Sequence, residues 1–261
     1  MTIQLNTIIE RPITDARHFT STLLAEPNVA HAWSLIQSKA YTDPASSTGG
    51  LKIPSRLPGG VPLKSWASTP GHLWDTRGGY AVSKYGVDGV NVNGQSAWTQ
   101  EVPNPGSVFS VIILSNQPAG FREVAGIDFA DLNLQIIPSR NANRSITATN
   151  TAGTLVGPID VGSTGPFGSW FTSVWVFDFA NKQLAASING DAFVSADVPL
   201  LEIQPDATMK FAIGRGFAIS ANNQNYDDGL VSDFIIFNGD VRNSPGFLSQ
   251  VEIYNATGYA V

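Results

Sequence analysis

The chain has no cysteine. That absence removes disulfides, thiolate nucleophiles and cysteine-based zinc sites together, and it suits synthesis in the cytosol. Charge is also scarce, since Asp, Glu, Lys and Arg make up 14% of the 261 residues. A helical bundle of this length would need far more Glu, Lys and Leu. The histidines are His18, His31 and His72, so everything after residue 72 lacks an imidazole for acid–base work. There is no basic excess either. Net charge is −6; residues 1–65 hold six Lys/Arg against four Asp/Glu, and the remainder holds nine against seventeen. An acidic body without a basic stripe excludes a nucleic-acid partner. The opening stretch MTIQLNTIIERPITDARHF has no basic n-region and no apolar run of signal length, and no later segment is apolar enough to span a bilayer. The expectation is a soluble chain with no signal peptide and no membrane insertion.

What is present points to strands and turns. The 25 Gly and 16 Pro, with many Ser, Thr and Asn, suit numerous short strands, and the length suits one large all-β domain that buries roughly 70–75% of its unfolded surface. Ser169 to Gly190 is the clearest stretch. Residues 169–179 alternate β-branched and aromatic residues, Ala180 and Asn181 form a turn, and Gln183 to Ile188 return. Asn189-Gly190 suits a type I′ turn, so a third strand over Ala192 to Val194 should follow. Trp170 and Trp175 differ by an odd number and should face opposite sides of the sheet. Further strands are expected at Tyr80 to Tyr85, Gly89 to Val92, Ser107 to Leu114, Leu132 to Ile137, Ser145 to Thr149, Met209 to Ile213 and Leu230 to Phe237.

Ahead of this domain, residues 1–72 read as an arm. Asp15 can cap a helix carrying Phe19, Leu23 and Leu24, and a second helical patch places Val29, Ala32, Trp33, Ile36 and Ala40 on one face. Phe19, Leu23, Leu24, Trp33 and Ile36 are the candidates for assembly contacts, either with the chain's own sandwich or with another chain. From Asp43 to Gly71 the Pro, Gly and Ser content reads as an extended linker.

The order Trp170 in a strand, Asp178 before a turn, Ser187-Ile188-Asn189-Gly190, Phe211-Ala212-Ile213-Gly214 and Gly229-Leu230-Val231-Ser232-Asp233-Phe234-Ile235-Ile236-Phe237 resembles laminin-G-like domains of the concanavalin A-like lectin and glucanase superfamily. Val108 to Leu114 resembles the family's early core strand, and Phe247 to Tyr254 its short terminal helix. The resemblance implies an all-β fold: a two-sheet antiparallel sandwich, or jelly roll, over residues 73–261, behind a short helical and extended N-terminal arm. A lectin-like domain behind an arm also resembles bacteriophage virion components, including tail fibre, receptor-binding and capsid-decorating proteins. That layout implies a homo-oligomer within a virion, with other virion proteins as partners. The alternative is a carbohydrate-binding module for a cell-surface glycan, and behind it a glycan hydrolase.

Chemistry in the sequence favours binding over turnover. The Glu-x-Asp-x-x-Glu strand motif of the superfamily's retaining glycosidases, which sets two carboxyls about 5–5.5 Å apart, is missing. Glu123, Asp128 and Asp131 have the wrong spacing for alternating strand positions. No Gly-x-Ser-x-Gly or Walker A pattern occurs. Sugar recognition would use aromatic faces beside amides and carboxylates, for which Trp98, Arg122, Asn223, Tyr226, Asp227 and Asp228 are the candidates on rim loops. Asn223, Asn225 and Asp227 alternate as calcium ligands would, but Asp228 and Phe234 stand where an EF-hand needs Gly and Glu. No cofactor is expected. Calcium at these residues and an Asx-turn loop are the two readings of that stretch.

Overall fold

The computed structural model of the protein describes residues 28–46, 50–65, 74–77, 80–85, 98–116, 124–129, 132–140, 143–150, 159–163, 169–199, 201–202, 207–214 and 229–257. Its strands in chain order begin with β1 (Val29–Ser34), β2 (Tyr41–Thr42), β3 (Leu51–Ile53) and β4 (Leu63–Ser65). There follow β5 (Trp74–Arg77), β6 (Tyr80–Tyr85), β7 (Trp98–Pro103), β8 (Val108–Asn116), β9 (Ala125–Phe129) and β10 (Leu132–Arg140). The remainder are β11 (Asn143–Asn150), β12 (Ile159–Ser163), β13 (Trp170–Asp178), β14 (Gln183–Ile188), β15 (Val194–Asp197), β16 (Thr208–Ile213) and β17 (Gly229–Asn238). One α-helix, α1 (Phe247–Thr257), ends the described chain.

These strands form two antiparallel sheets. The first runs β15-β14-β13-β8-β17-β6-β5, with β1 also paired to β17; the second runs β12-β11-β10-β9-β16-β7-β4-β3-β2. The inner faces meet in a core that includes Trp33, Trp98, Phe109, Trp175, Phe211 and Phe234. The first sheet also buries its outer face, where Ile112, Leu114, Val174, Val176, Ile235 and Phe237 pack with Phe247 and Val251 of α1. Burial on both faces explains why β8, β13 and β17 read as nearly continuous apolar runs. Trp175 belongs to the inner core and Trp170 packs against the outer cluster, as their odd spacing requires.

The long hairpin folds as its residues dictate. Asn189 and Gly190 adopt φ of 56° and 88°, the positive values a type I′ turn needs. Asn189 Oδ1 also accepts from the Thr172 amide at 3.0 Å, fixing the turn to the start of β13. A Cβ on Gly190 would lie 2.7 Å from the Leu248 carbonyl oxygen, so α1 rests directly on this turn. The strand after it, β15, is Val194–Asp197, two residues later than Ala192 to Val194. The strand expected at Gly89 to Val92 lies outside the described residues.

Residues 28–65 depart from the reading of a second helical patch and a linker. Val29 to Ser34 is a strand paired with β17, and Gln37–Lys39 turns as a short 3-10 helix. Apolar residues at 29, 32, 33 and 36 match a helical stripe because both faces of β1 are covered: Ala32 enters the outer cluster and Trp33 the inner core. Trp33, expected as an assembly contact, is 0% exposed, and its indole donates to the Val61 carbonyl at 2.8 Å. Ile36 is likewise buried. The Pro/Gly-rich segment supplies β3 and β4 to the second sheet beside β2, and β4 pairs with β7. Residues 29–65 thus contribute strands to both sheets. Phe19, Leu23 and Leu24 lie outside the described residues.

Candidate functional site

A polar site forms where β17 changes partner. Along one edge of β17, Gly229 to Val231 pair with Tyr85 to Ser83 of β6, whereas Asp233 to Phe237 pair with Ser34 to Val29 of β1. On the opposite edge, the register with β8 slips between Val231 and Asp233, a bulge that leaves Ser232 as the extra residue. Bulges re-aim side chains and part neighbouring strands. Here the bulge is held by the Leu35 amide, which donates to the Ser232 carbonyl at 2.6 Å.

The side chains at the bulge form a directed chain. Asp233 is 4% exposed, and a buried carboxylate requires donors. The Ser232 hydroxyl donates to its Oδ2 at 2.8 Å and the Ser34 hydroxyl to its Oδ1 at 2.5 Å. Because the Ser34 hydrogen is committed to Asp233, its oxygen accepts, and Arg56 Nη1 donates to it at 2.9 Å. Arg56 reaches Asp233 Oδ1 itself only at 4.0 Å. The carboxylate therefore positions the guanidinium chiefly through a hydroxyl.

Arg56 arrives on the loop between β3 and β4. Its amide donates to the Ala32 carbonyl at 2.9 Å, and the Leu57 amide to Ser55 Oγ at 3.1 Å, which lays the loop across the end of β1. Gly60 closes it: a Cβ there would stand 2.2 Å from Ser55 Oγ and 2.7 Å from Ser55 Cβ. Loop and strand enclose an open cleft of about 250 Å³ lined by Ser34, Ile36, Lys39, Pro54, Ser55 and Arg56. Lys39 is exposed at its rim. On β3, the Lys52 ammonium pairs with Asp43 at 2.8 Å and holds that carboxyl below its usual range.

His31 stands close in sequence but apart in space. Alternation sends it with Trp33 to the face opposite Ser34, and it stacks on Trp33 with centroids 5.7 Å apart. Burial pushes its pKa down, and its Nδ1 has no hydrogen-bond partner. Among the described residues, Ser34 and Asp233 consequently share no imidazole.

Of the residues expected to recognise sugar, Trp98 is the one among the described residues. Trp98 is 0% exposed in β7, packed in the inner core against Trp74 with centroids 6.1 Å apart, so it offers no face to a ligand. Its position opposite Ile213 in β16 made it a core residue. Arg122, Asn223, Asn225, Tyr226, Asp227 and Asp228 lie outside the described residues, as do Glu123 and Asp131. Asp128 sits on β9 opposite Lys210 and Asn133. Among the described residues no cluster of His, Asp and Glu could hold a metal ion, and no helix is long and apolar enough to cross a membrane. The Ser34–Asp233–Arg56 chain was missed in the sequence. Its one signal was Ser232-Asp233 interrupting the apolar run of Gly229 to Phe237.

No protein-family model matches the chain, and no curated protein is similar to it in sequence. Solved structures do share its fold. One is domain 4 of an extracellular GH43 arabinanase from Geobacillus stearothermophilus, in complex with arabinotriose, at 16% identity and a TM-score of 0.51 over 87% of this chain and 97% of that one. Another is the receptor-binding domain of botulinum neurotoxin D, at 14% identity and a TM-score of 0.53 over 88% of this chain. This chain spans 52% of that toxin domain's length. The shared architecture is a two-sheet antiparallel β-sandwich.

Proposed function

We propose that this chain is a non-enzymatic glycan-recognition module whose contact surface includes the cleft at the β17 partner switch. The observation that carries the reading is the preorganised array of Ser34, Asp233 and Arg56 bordering that cleft. Sugars are bound through hydroxyls matched to fixed donors and acceptors, and side chains locked by buried hydrogen bonds lose little entropy on binding. The separation of His31 from Ser34 argues against nucleophilic turnover at this site. One structural neighbour, the arabinanase domain, is in complex with arabinotriose, which agrees with this reading at the level of fold. A glycan array probed with the full chain tests it. Reproducible binding weakened by Arg56→Ala is the expected result; silence across the array rejects recognition, and reducing-sugar release from a polysaccharide panel rejects the non-enzymatic half.

The finer reading places this module in a bacteriophage virion as a tail-fibre, receptor-binding or capsid-decorating protein, assembled as a homo-oligomer. Its support is layout: residues 1–27, with Phe19, Leu23 and Leu24, precede the first strand of a lectin-like sandwich. Co-purification with virus particles, lost when residues 1–27 are removed, is the expected outcome. Particle incorporation unchanged by that truncation would discard the arm's role.

A further inference from the structure

We infer that the cleft is one end of a longer site, and that its ligand is an oligosaccharide whose second sugar unit rests on the ring of Tyr41. This inference rests on the glycan-recognition reading and deepens it from a single sugar to a chain. The first ground is Tyr41 itself. It is 43% exposed, the most exposed of the large apolar side chains among the described residues, and it stands on β2, the last strand in the order of the second sheet. A ring left in water on a two-residue strand gains little for the fold. It does present a flat apolar face with a polar tip, the surface that the C–H face of a sugar ring can cover.

The second ground is register. Tyr41 stands opposite Lys52, and Lys52 opposite Lys64. Ile53 and Leu63 enter the inner core, so alternation turns Lys52, Lys64 and Tyr41 to the outer face of the sheet. One step along the ladder, Ala40 packs on the inner core to which Ile53 belongs. A second step reaches Lys39 and Pro54, and both line the cleft. Positions 52 and 54 lie on one side of the chain, about 7 Å apart. The cleft wall and the Tyr41 ring therefore share a surface, separated by the span of a sugar unit and its linkage. The third ground is rigidity. The Lys52 ammonium pairs with Asp43 at 2.8 Å, the Asp43 amide donates to the Gly50 carbonyl at 2.7 Å, and the Ala45 amide donates to Asp43 Oδ1 at 3.0 Å. These bonds hold β2 against β3, so the platform is ordered before a ligand arrives.

The test is a glycan array that carries each linkage series as mono-, di-, tri- and tetrasaccharide, read with the full wild-type chain, Tyr41→Ala, Tyr41→Phe and Arg56→Ala. Longer members are expected to bind several-fold to about tenfold more tightly than their monosaccharide. Tyr41→Ala should abolish that gain and leave monosaccharide binding unchanged, whereas Tyr41→Phe, which keeps the ring, should retain most of it. Should Tyr41→Ala fail to fold, nitration of the wild-type chain by tetranitromethane carries the test. The best-bound tetrasaccharide should protect Tyr41 from nitration, and its monosaccharide should not. Monosaccharides bound as tightly as their longer series, or a length gain that survives Tyr41→Ala, would overturn this inference; binding still weakened by Arg56→Ala would then leave glycan recognition at the cleft intact. Equal loss of mono- and tetrasaccharide binding in Tyr41→Ala would also overturn it, because Tyr41 would then serve the first sugar and not a second. Silence at every length would remove the underlying reading as well.

Discussion

Among the described residues two buried aspartates each engage an arginine, and they solve the same problem differently. Asp178, 3% exposed at the end of β13, accepts from the Asn181 amide at 3.0 Å and from Arg242 Nη2 at 3.0 Å. Arg242 also pairs with Asp240 at 2.7 Å, and Asp240 is the main group raising its pKa, with Asp178 adding to it. Asp233 accepts from two serines and meets Arg56 only at 4.0 Å. The two arginine side chains are almost equally exposed, at 21% and 20%. Exposure therefore does not distinguish them; the company they keep does. Arg242 stands between two carboxylates, a local sum of −1, and closes the hairpin turn. Arg56 donates to a serine hydroxyl set between it and one buried carboxylate, and it borders a cleft. Arg242 meets its carboxylates directly, whereas Arg56 meets Asp233 chiefly through a hydroxyl.

The sharpest way to break this contrast is to remove each arginine. Arg242→Ala leaves Asp178 buried without its cation and should cost about 2–3 kcal/mol in urea unfolding, reduced from the fully buried case by partial exposure. Gly190→Ala tests the same end of the sheet, since α1 presses on the turn that Asn189 and Gly190 make. A side chain at positive φ with no room beside Leu248 should lower stability by about 2 kcal/mol. At the other pair, Ser34→Ala removes the link between Asp233 and Arg56. It should cost about 1–2 kcal/mol, with glycan binding falling more steeply than stability does. Arg56→Gln should cost less than Arg242→Ala, because Asp233 retains both serine donors. A loss as large as that of Arg242→Ala would erase the distinction between the two pairs.

The smallest expected effect is a pH slope. His31 is held neutral by burial, with its pKa below 6.5. Its contribution to stability is full above 6.5, where folded and unfolded chains are both neutral. As pH falls below that value the unfolded chain binds the proton first, and stability declines until the folded pKa is passed. His31→Phe should flatten urea midpoints across that window, and an unchanged slope would assign the acid sensitivity to other groups.

How much was legible beforehand differed along the chain. The β13–β14 hairpin was readable because local rules decide it: alternation sets the strands and Asn189-Gly190 sets the turn. β1 was not. Val29, Ala32, Trp33 and Ile36 fit a helical stripe, and only pairing with β17, some two hundred residues away, makes both faces of that segment apolar surroundings. Trp98 could be taken for a ligand platform because a tryptophan in a polar stretch looks the same whether its partner is water or Trp74. The site was harder still. Ser34, Arg56 and Asp233 come from three separate segments, and no spacing links them.

The sequence by itself determined the class of fold: strand periodicity, turn glycines and the double-sided apolar strands permit little except a β-sandwich. It also determined the absence of thiol chemistry. Tertiary structure alone decided which arginine is spent on the fold and which borders a cleft. The reason is physical. Alternation and turn preference act between neighbours along the chain, whereas the distance between a guanidinium and a carboxylate is set by the bulge at Ser232 and the loop that carries Arg56, and these meet only when the sheet is complete.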